Sequence, residues 1–299
     1  MFGFRSAREP GFPVPILFNV FNRPAETRRV FEVIRKIRPQ SLFIKADGPR
    51  PQVPDDRRRC DKVRKIVELI DWDCELHTLF YERNLGCRVA MSSGIDWFFS
   101  KVDEGIIIED DCLPDLTFFR FCQELLEKYR DEERVMMISG NNFHGGRQWG
   151  DASYFFSKHS HIWGWATWRR AWKHYDVGMQ DLPRLKKEKV FHKILPHENE
   201  ARYWLRNFQI VYDGTLNTWD YQWFYSMLLR NGLSVIPNVN LVSNIGYNDQ
   251  ATHTLNKRDK LANLKTSSIR INSHPEEISA NELADQFISS YVLGINFET

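Results

Sequence analysis

Residues 105–111 read Gly-Ile-Ile-Ile-Glu-Asp-Asp, three β-branched residues running straight into three carboxylates. A short, continuously apolar run of this kind predicts a parallel strand buried on both faces, the kind of strand found in α/β sheets. It places Glu109, Asp110 and Asp111 at the carboxyl edge of that sheet, where open α/β folds present their ligands. Carboxylates this close raise one another's pKa unless something positive neutralises them. A divalent cation holding a phosphate does so, and hard ions such as Mg²⁺ and Mn²⁺ prefer oxygen ligands. The plainer reading is a solvated acidic turn ahead of a helix capped by Asp115.

The sequence around this run alternates as an α/β sheet requires. Residues 16–21 read as a strand closed by Asn22-Arg23-Pro24, a turn with Pro near a helix start. Val30, Val33, Ile34 and Ile37 follow at the spacing of one buried helix face. Residues 42–46 form a second strand, stopped by Asp47-Gly48-Pro49. Val63, Ile66, Val67 and Ile70 predict another amphipathic helix, 76–80 a third strand and 89–99 a third helix. Past the acidic run come a helix over 118–129 and a strand over 135–139. This pitch predicts βαβ units and a mostly parallel sheet flanked by helices.

Beyond residue 140 the rhythm breaks. Residues 145–151 read as a loop, 163–175 as an aromatic segment and 184–193 as a basic helical stretch. Helices are predicted over 198–208 and 219–229, a strand over 233–236 and an apolar helix near 283–292. The expected organisation is an N-terminal extension over 1–12, a first half over 13–140, a mixed second half of the same domain over 141–256, and a C-terminal helical tail over 257–299.

Lys+Arg and Asp+Glu number 41 and 39, so no global field suited to nucleic acid exists. No apolar run is long enough to span a bilayer, and the first thirty residues hold no uninterrupted apolar core of a signal peptide. A soluble, cytoplasmic protein is expected. The stretch Lys186-Lys187-Glu188-Lys189, flanked by Leu182, Leu185, Val190 and Ile194, reads as a solvated helix face or as a peripheral contact with an anionic membrane. The five cysteines are scattered without a C-x-x-C pair, which predicts reduced thiols. Ten tryptophans suit a sugar-binding cleft as well as a large core. Trp165, Trp168, Trp172 and Tyr175 fall at i, i+3, i+7 and i+10, the spacing of one helix face, and are expected in the core. Trp163 lies off that stripe, ahead of Gly164, which lets backbone approach a ligand.

Taken together, these residues resemble glycosyltransferases of the GT-A fold over most of residues 13–256. The likeness rests on residues 18–24, on Ala46-Asp47-Gly48, on the turn Arg83-Asn84-Leu85-Gly86-Cys87-Arg88, and on Glu109-Asp110-Asp111. Within that group it is nearest to the N-acetylglucosaminyltransferases that initiate complex N-glycans, which share E-D-D, then a Gly-Trp segment like Trp163-Gly164-Trp165, then a W-D segment like Trp219-Asp220. With no membrane anchor in view, a bacterial-type relative is expected.

The resemblance implies a Rossmann-like α/β fold and an inverting, metal-dependent transfer of a sugar from a nucleotide-diphosphate donor, expected to be a UDP-sugar. The acceptor would be a glycan or a lipid-linked saccharide. Asp111 would bind Mn²⁺ or Mg²⁺, and Glu109 and Asp110 would contact ribose or sugar. Asn22 and Arg23, in a strand-to-helix turn, would meet the diphosphate. Asp47 would accept from uracil or ribose, and Arg88 would face the nucleotide. Trp163 and Gly164 would shape the pocket, and His253, in the polar loop over 243–254, would touch diphosphate or metal. Asp220 would be the base that deprotonates the acceptor hydroxyl. Each has a structural counterpart: a surface arginine, a turn aspartate, a helix-start aspartate. Rival functions are a sugar-nucleotide pyrophosphorylase, which would want a Gly-rich loop where this chain has Asn22-Arg23-Pro24, and a non-catalytic carbohydrate-binding protein.

Overall fold

A computed structural model of the chain describes residues 11–195, 197–247 and 260–297. The first half winds β1 (Ile16–Val20), α1 (Pro24–Ile37), β2 (Ser41–Ala46), α2 (Asp56–Arg64), a 3₁₀ turn (Lys65–Leu69), β3 (Glu75–Phe80), α3 (Gly86–Phe99) and β4 (Glu104–Glu109). Then come β5 (Cys112–Pro114), α4 (Leu116–Lys128), β6 (Val135–Ser139), β7 (Tyr154–Ser157), β8 (Trp165–Trp168) and α5 (Arg169–Trp172). The remainder comprises α6 (Leu182–Lys187), α7 (Val190–Ile194), α8 (Glu198–Tyr212), α9 (Asp220–Leu229), β9 (Leu233–Pro237), β10 (Val242–Asn244) and α10 (Glu282–Tyr291).

Among the described residues, eight strands form one sheet in the order β3-β2-β1-β4-β8-β6-β9-β7. β1, β2, β3 and β4 pair in parallel, as do β6 and β9, whereas β8 and β7 are antiparallel to their neighbours. The α/β architecture, a mostly parallel sheet flanked by helices with a mixed second half, is the one expected. Strands from both halves of the chain share the sheet.

Alternation along the buried strands sorts two cores. Ile16, Phe18 and Val20 point to one face and pack with α1 (Val30, Ile34) and α4 (Phe118, Leu125). Leu17 and Phe43 point to the other and pack with α3 (Met91, Ile95, Phe98) and Trp223 of α9. Each such side chain, fully withdrawn from water, contributes about 1.5–3 kcal/mol. Pro24 opens α1, while Asp115 caps α4 by accepting from Thr117 N at 2.8 Å.

Two expectations are corrected here. Trp165, Trp168, Trp172 and Tyr175 do not share a helix face: residues 165–168 are a strand, wedged antiparallel between β4 and β6. Trp165 and Trp172 join the α3-side core, and Trp168 joins the opposite one. The aromatics are core residues nonetheless. The apolar residues around Lys186 to Lys189 are not turned outward to a membrane. Leu182 and Leu185 are buried in a third cluster with Phe191, Trp204 and Phe208, and Val190 and Ile194 pack against it. No helix among the described residues is long and apolar enough to cross a membrane.

Candidate active site at the carboxyl edge of the sheet

The carboxyl ends of β1, β2 and β4 open onto a cavity of about 380 Å³. Glu109, Asp110 and Asp111 line it together with Arg23, Trp163 and Asp220. The triplet is held in place from several sides. Asp110 is buried, its Oδ2 accepting from Phe21 N at 2.9 Å. Asp111 lies at the start of a two-stranded ribbon in which β5 pairs antiparallel with β10, and its carbonyl accepts from Ile245 N at 2.8 Å. One nitrogen of the Arg23 guanidinium, Nη1, donates to Asp110 Oδ1 at 3.0 Å and to Asp111 Oδ2 at 2.9 Å.

These positions set the protonation of the triplet. Burial, reinforced by Asp111 and Asp110, pushes Glu109 up to about 8. Burial also raises Asp110, which stands at about 6 because Arg23 opposes the rise. For Arg23 burial disfavours the charge, but Asp110 and Asp111 outweigh it and the guanidinium pKa rises. The site therefore sets a carboxyl whose burial favours its neutral form, Glu109, beside an arginine-bridged pair of acids.

Directly across the sheet, Asn19 on β1 stands opposite Lys45 on β2 and Glu109 on β4. Register partners on parallel strands project to the same face, so the three form a polar rung at the floor of the cavity, which all three line. Burial lowers Lys45 to about 8, partly offset by Asp47, Cys87 and Glu109. Sequence reasoning missed Asn19 and Lys45. The available signal was a polar residue interrupting each of the apolar runs Ile16-Leu17-Phe18-Asn19-Val20 and Leu42-Phe43-Ile44-Lys45-Ala46.

Several expected site residues sit elsewhere or act differently. Asn22 turns from the cavity and donates through Nδ2 to Asp56 Oδ1 at 2.5 Å, which in turn receives Arg50. Arg50 does line the cavity, its guanidinium 5.2 Å from the Phe21 ring centre. Arg88 does not reach the cavity. Its Nη2 donates to the carbonyls of Val211 at 2.6 Å and Leu216 at 3.0 Å, around the end of α8, where the Val211 carbonyl also accepts from Gly214 N at 3.1 Å. Asp47 lines the cavity, but Oδ1 accepts from Gly48 N at 2.8 Å and Leu85 N at 3.0 Å, and Oδ2 from Asn84 Nδ2 at 2.9 Å. That carboxylate ties two turns together.

Trp163 is on the cavity wall, its backbone N donating to Asn141 Oδ1 at 3.0 Å and its ring edge-on to Phe143 at 5.0 Å. Gly164 does not line the cavity. Its φ of +74° and the 2.9 Å separation between an added Cβ and Val242 Cγ2 both require glycine, and its carbonyl accepts from Gly140 N at 2.8 Å. Its role is to turn the chain behind Trp163. Asp220 opens α9, accepts from Thr218 Oγ1, and acts on Glu109 as one of the charges that raise it. His253 and most of the expected loop over 243–254 lie outside the described residues.

A hard cation is the cofactor expected at Asp111. Among the described residues no group of three or more His, Cys, Asp or Glu side chains converges to hold an ion unaided. Several carboxylates line the cavity, but Asp110 and Asp111 each give an oxygen to Arg23, so the set fits an ion that takes Asp111 together with phosphate oxygens and water.

No family model and no curated protein matches the chain. Solved structures similar to it include apo mouse xyloside xylosyltransferase 1, at 10% identity over 72% of this chain and 81% of that one, with a TM-score of 0.34. An apo UDP-glucose pyrophosphorylase is 10% identical over 74% of this chain and 90% of that one, with a TM-score of 0.36. HddC from Yersinia pseudotuberculosis is 7% identical over 52% and 77%, with a TM-score of 0.32. Likeness at this level carries no argument about activity.

Proposed function

We propose that this protein is a glycosyltransferase that moves a sugar from a nucleotide-diphosphate donor to a hydroxyl acceptor with inversion at the anomeric carbon. The observation that carries the reading is the meeting, on one cavity, of an acidic triplet at the sheet edge, two of its members bridged by Arg23, with a carboxylate from a different element, Asp220 at the start of α9. Phosphate needs the cationic side of such a site, and an attacking hydroxyl needs a carboxylate.

In the reaction the acceptor oxygen attacks the anomeric carbon while Asp220 takes the hydroxyl proton. The bond to the diphosphate breaks, its electron pair leaving on the phosphate oxygen. Arg23 stabilises the charge that develops there, and Glu109, at the floor of the same cavity, hydrogen-bonds a donor hydroxyl. Asp111 would hold Mg²⁺ or Mn²⁺, which when bound supplies further charge compensation to the leaving diphosphate.

The test is product analysis with UDP-sugars and a hydroxyl acceptor in Mn²⁺, run beside UTP plus sugar 1-phosphate. Release of UDP in the first supports the transferase; release of pyrophosphate in the second points to a pyrophosphorylase. Calorimetric titration of UDP onto the Asp111→Asn variant, with and without Mn²⁺, checks the metal. The ion is expected to tighten UDP binding to the parent protein and not to the variant, and equal affinities for the parent under both conditions sink the metal assignment.

A further inference from the structure

The carboxylate that opens α9 is held by the residue two places before it. Thr218 Oγ1 donates to Asp220 Oδ1, and both side chains line the cavity. Thr218 is 8% exposed, so its hydroxyl has little water to turn to. The segment over 217–219 that carries it is tied down from three directions. Arg88 N, in the first turn of α3, donates to Asn217 Oδ1 at 2.9 Å. Gln222 Nε2, on a fully buried side chain of α9, donates to the Thr218 carbonyl at 2.8 Å. Tyr175 OH, just beyond α5, donates to the Trp219 carbonyl at 3.1 Å. Backbone anchored in this way brings the threonine hydroxyl to one fixed oxygen of Asp220.

The elements around Asp220 work against its ionisation. Burial raises Glu109 at the end of β4, Cys87 on α3, Tyr175 beyond α5 and Tyr221 on α9, and the charge of Asp220 adds to the rise in all four. Each of them is neutral or negative, so none of the four helps Asp220 to stay charged. The cations on neighbouring elements are engaged with other groups. Arg88 gives Nη2 to the carbonyls of Val211 and Leu216, Arg23 bridges Asp110 and Asp111, and Lys45 faces Asp47, Cys87 and Glu109. A hydroxyl that donates to the carboxylate favours its charged form without adding a charge of its own.

We propose that Thr218 is a positioning residue for the base of the transfer reaction, its hydroxyl orienting the Asp220 carboxylate and keeping it ionised as the acceptor arrives. This rests on the glycosyltransferase reading above, in which Asp220 takes the acceptor proton. The hydrogen bond acts in two ways. It fixes the plane of the carboxylate relative to the cavity, and it lowers the pH above which Asp220 can accept a proton.

Thr218→Val removes the hydroxyl at nearly constant volume, and Thr218→Ser keeps it. NMR titration of ¹³C-labelled aspartate carboxyls in the full-length protein reads Asp220 directly, its signal identified by its loss in Asp220→Asn. Thr218→Val is expected to raise the Asp220 midpoint by about one pH unit, the effect of one hydrogen bond to a charged group, and Thr218→Ser to leave it within about 0.3 unit of the parent. With UDP-sugar, Mn²⁺ and a hydroxyl acceptor, the acid limb of kcat against pH should move up by the same step in Thr218→Val and return in Thr218→Ser. UDP affinity should stay within about twofold, since the hydroxyl acts on the base and not on the nucleotide. Thr218→Ala makes the same cut where the valine variant fails to fold. A midpoint that does not move in a folded variant overturns the role of Thr218 and leaves the transferase standing. A midpoint that moves while the acid limb stays in place overturns it too, because the carboxylate would then not be the base. Absence of sugar transfer by the parent protein overturns the proposed function, and the catalytic role of Thr218 with it.

Discussion

A single guanidinium nitrogen shared by Asp110 and Asp111 makes Arg23 the counter-charge that lets two buried acids coexist at the sheet edge. Arg23→Met would strand them. Breaking a buried pair from one side costs about 3–5 kcal/mol, and the effect here is expected near the lower figure because the guanidinium is partly open to the cavity. Urea denaturation should show the loss at pH 8 and much less of it at pH 4, where Asp110, standing at about 6, is protonated. Asp220 makes a different prediction. Asp220→Asn keeps shape and helix position but removes the proton acceptor, so kcat is expected to fall by about 10²–10⁴-fold, or about 3–5 kcal/mol of barrier. UDP affinity should stay within about twofold. A variant that turns over normally, or product with retained anomeric configuration, rules out both the base and the inverting mechanism.

At the scale of elements, what could be foreseen depended on length. The parallel strands and α1, α3 and α4 were legible because each carries a full period of apolar residues. β8 was not: four residues, all buried because both faces are covered, display no alternation, and its tryptophans happen to match a helical spacing with Trp172 of α5. β5 and β10 have three residues each and are set by pairing between segments far apart in the chain. The acidic triplet and Asp220 were legible as motifs. Arg88 and Asn22 were misplaced because their partners, Val211, Leu216 and Asp56, are distant in sequence and no local pattern announces them. Arg88 now predicts a result that would not follow from contact with nucleotide. Arg88→Met should remove the side-chain donor from the Leu216 carbonyl and one of two donors from the Val211 carbonyl, and cost about 1–3 kcal/mol in chemical denaturation. UDP affinity should change by less than about twofold; a larger loss would return Arg88 to the binding site.

The molecule as a whole is closed by its C-terminal helix. α10 lies against β7 and α8 through a buried polar cluster: Ser157 Oγ donates to Asp285 Oδ1 at 2.5 Å, Lys158 N to Asp285 Oδ2 at 3.1 Å, and Ser289 Oγ to Glu200 Oε1 at 2.6 Å. Burial raises Asp285 from 3.8 to about 6 despite those donors. Between these two values the folded protein binds the proton that the unfolded chain has released, so stability falls as pH rises through the window and is level above about 6. The shift corresponds to at most about 3 kcal/mol. Other acids titrate over the same range, so the informative quantity is a difference. Asp285→Asn has nothing to ionise, and it forfeits one acceptor at every pH. Relative to the parent protein it should be the less stable at pH 4 and gain steadily by pH 7, read as the difference between urea midpoints across that range. A difference that stays constant with pH would mean that Asp285 is ionised throughout and that its hydrogen bonds alone hold the helix in place.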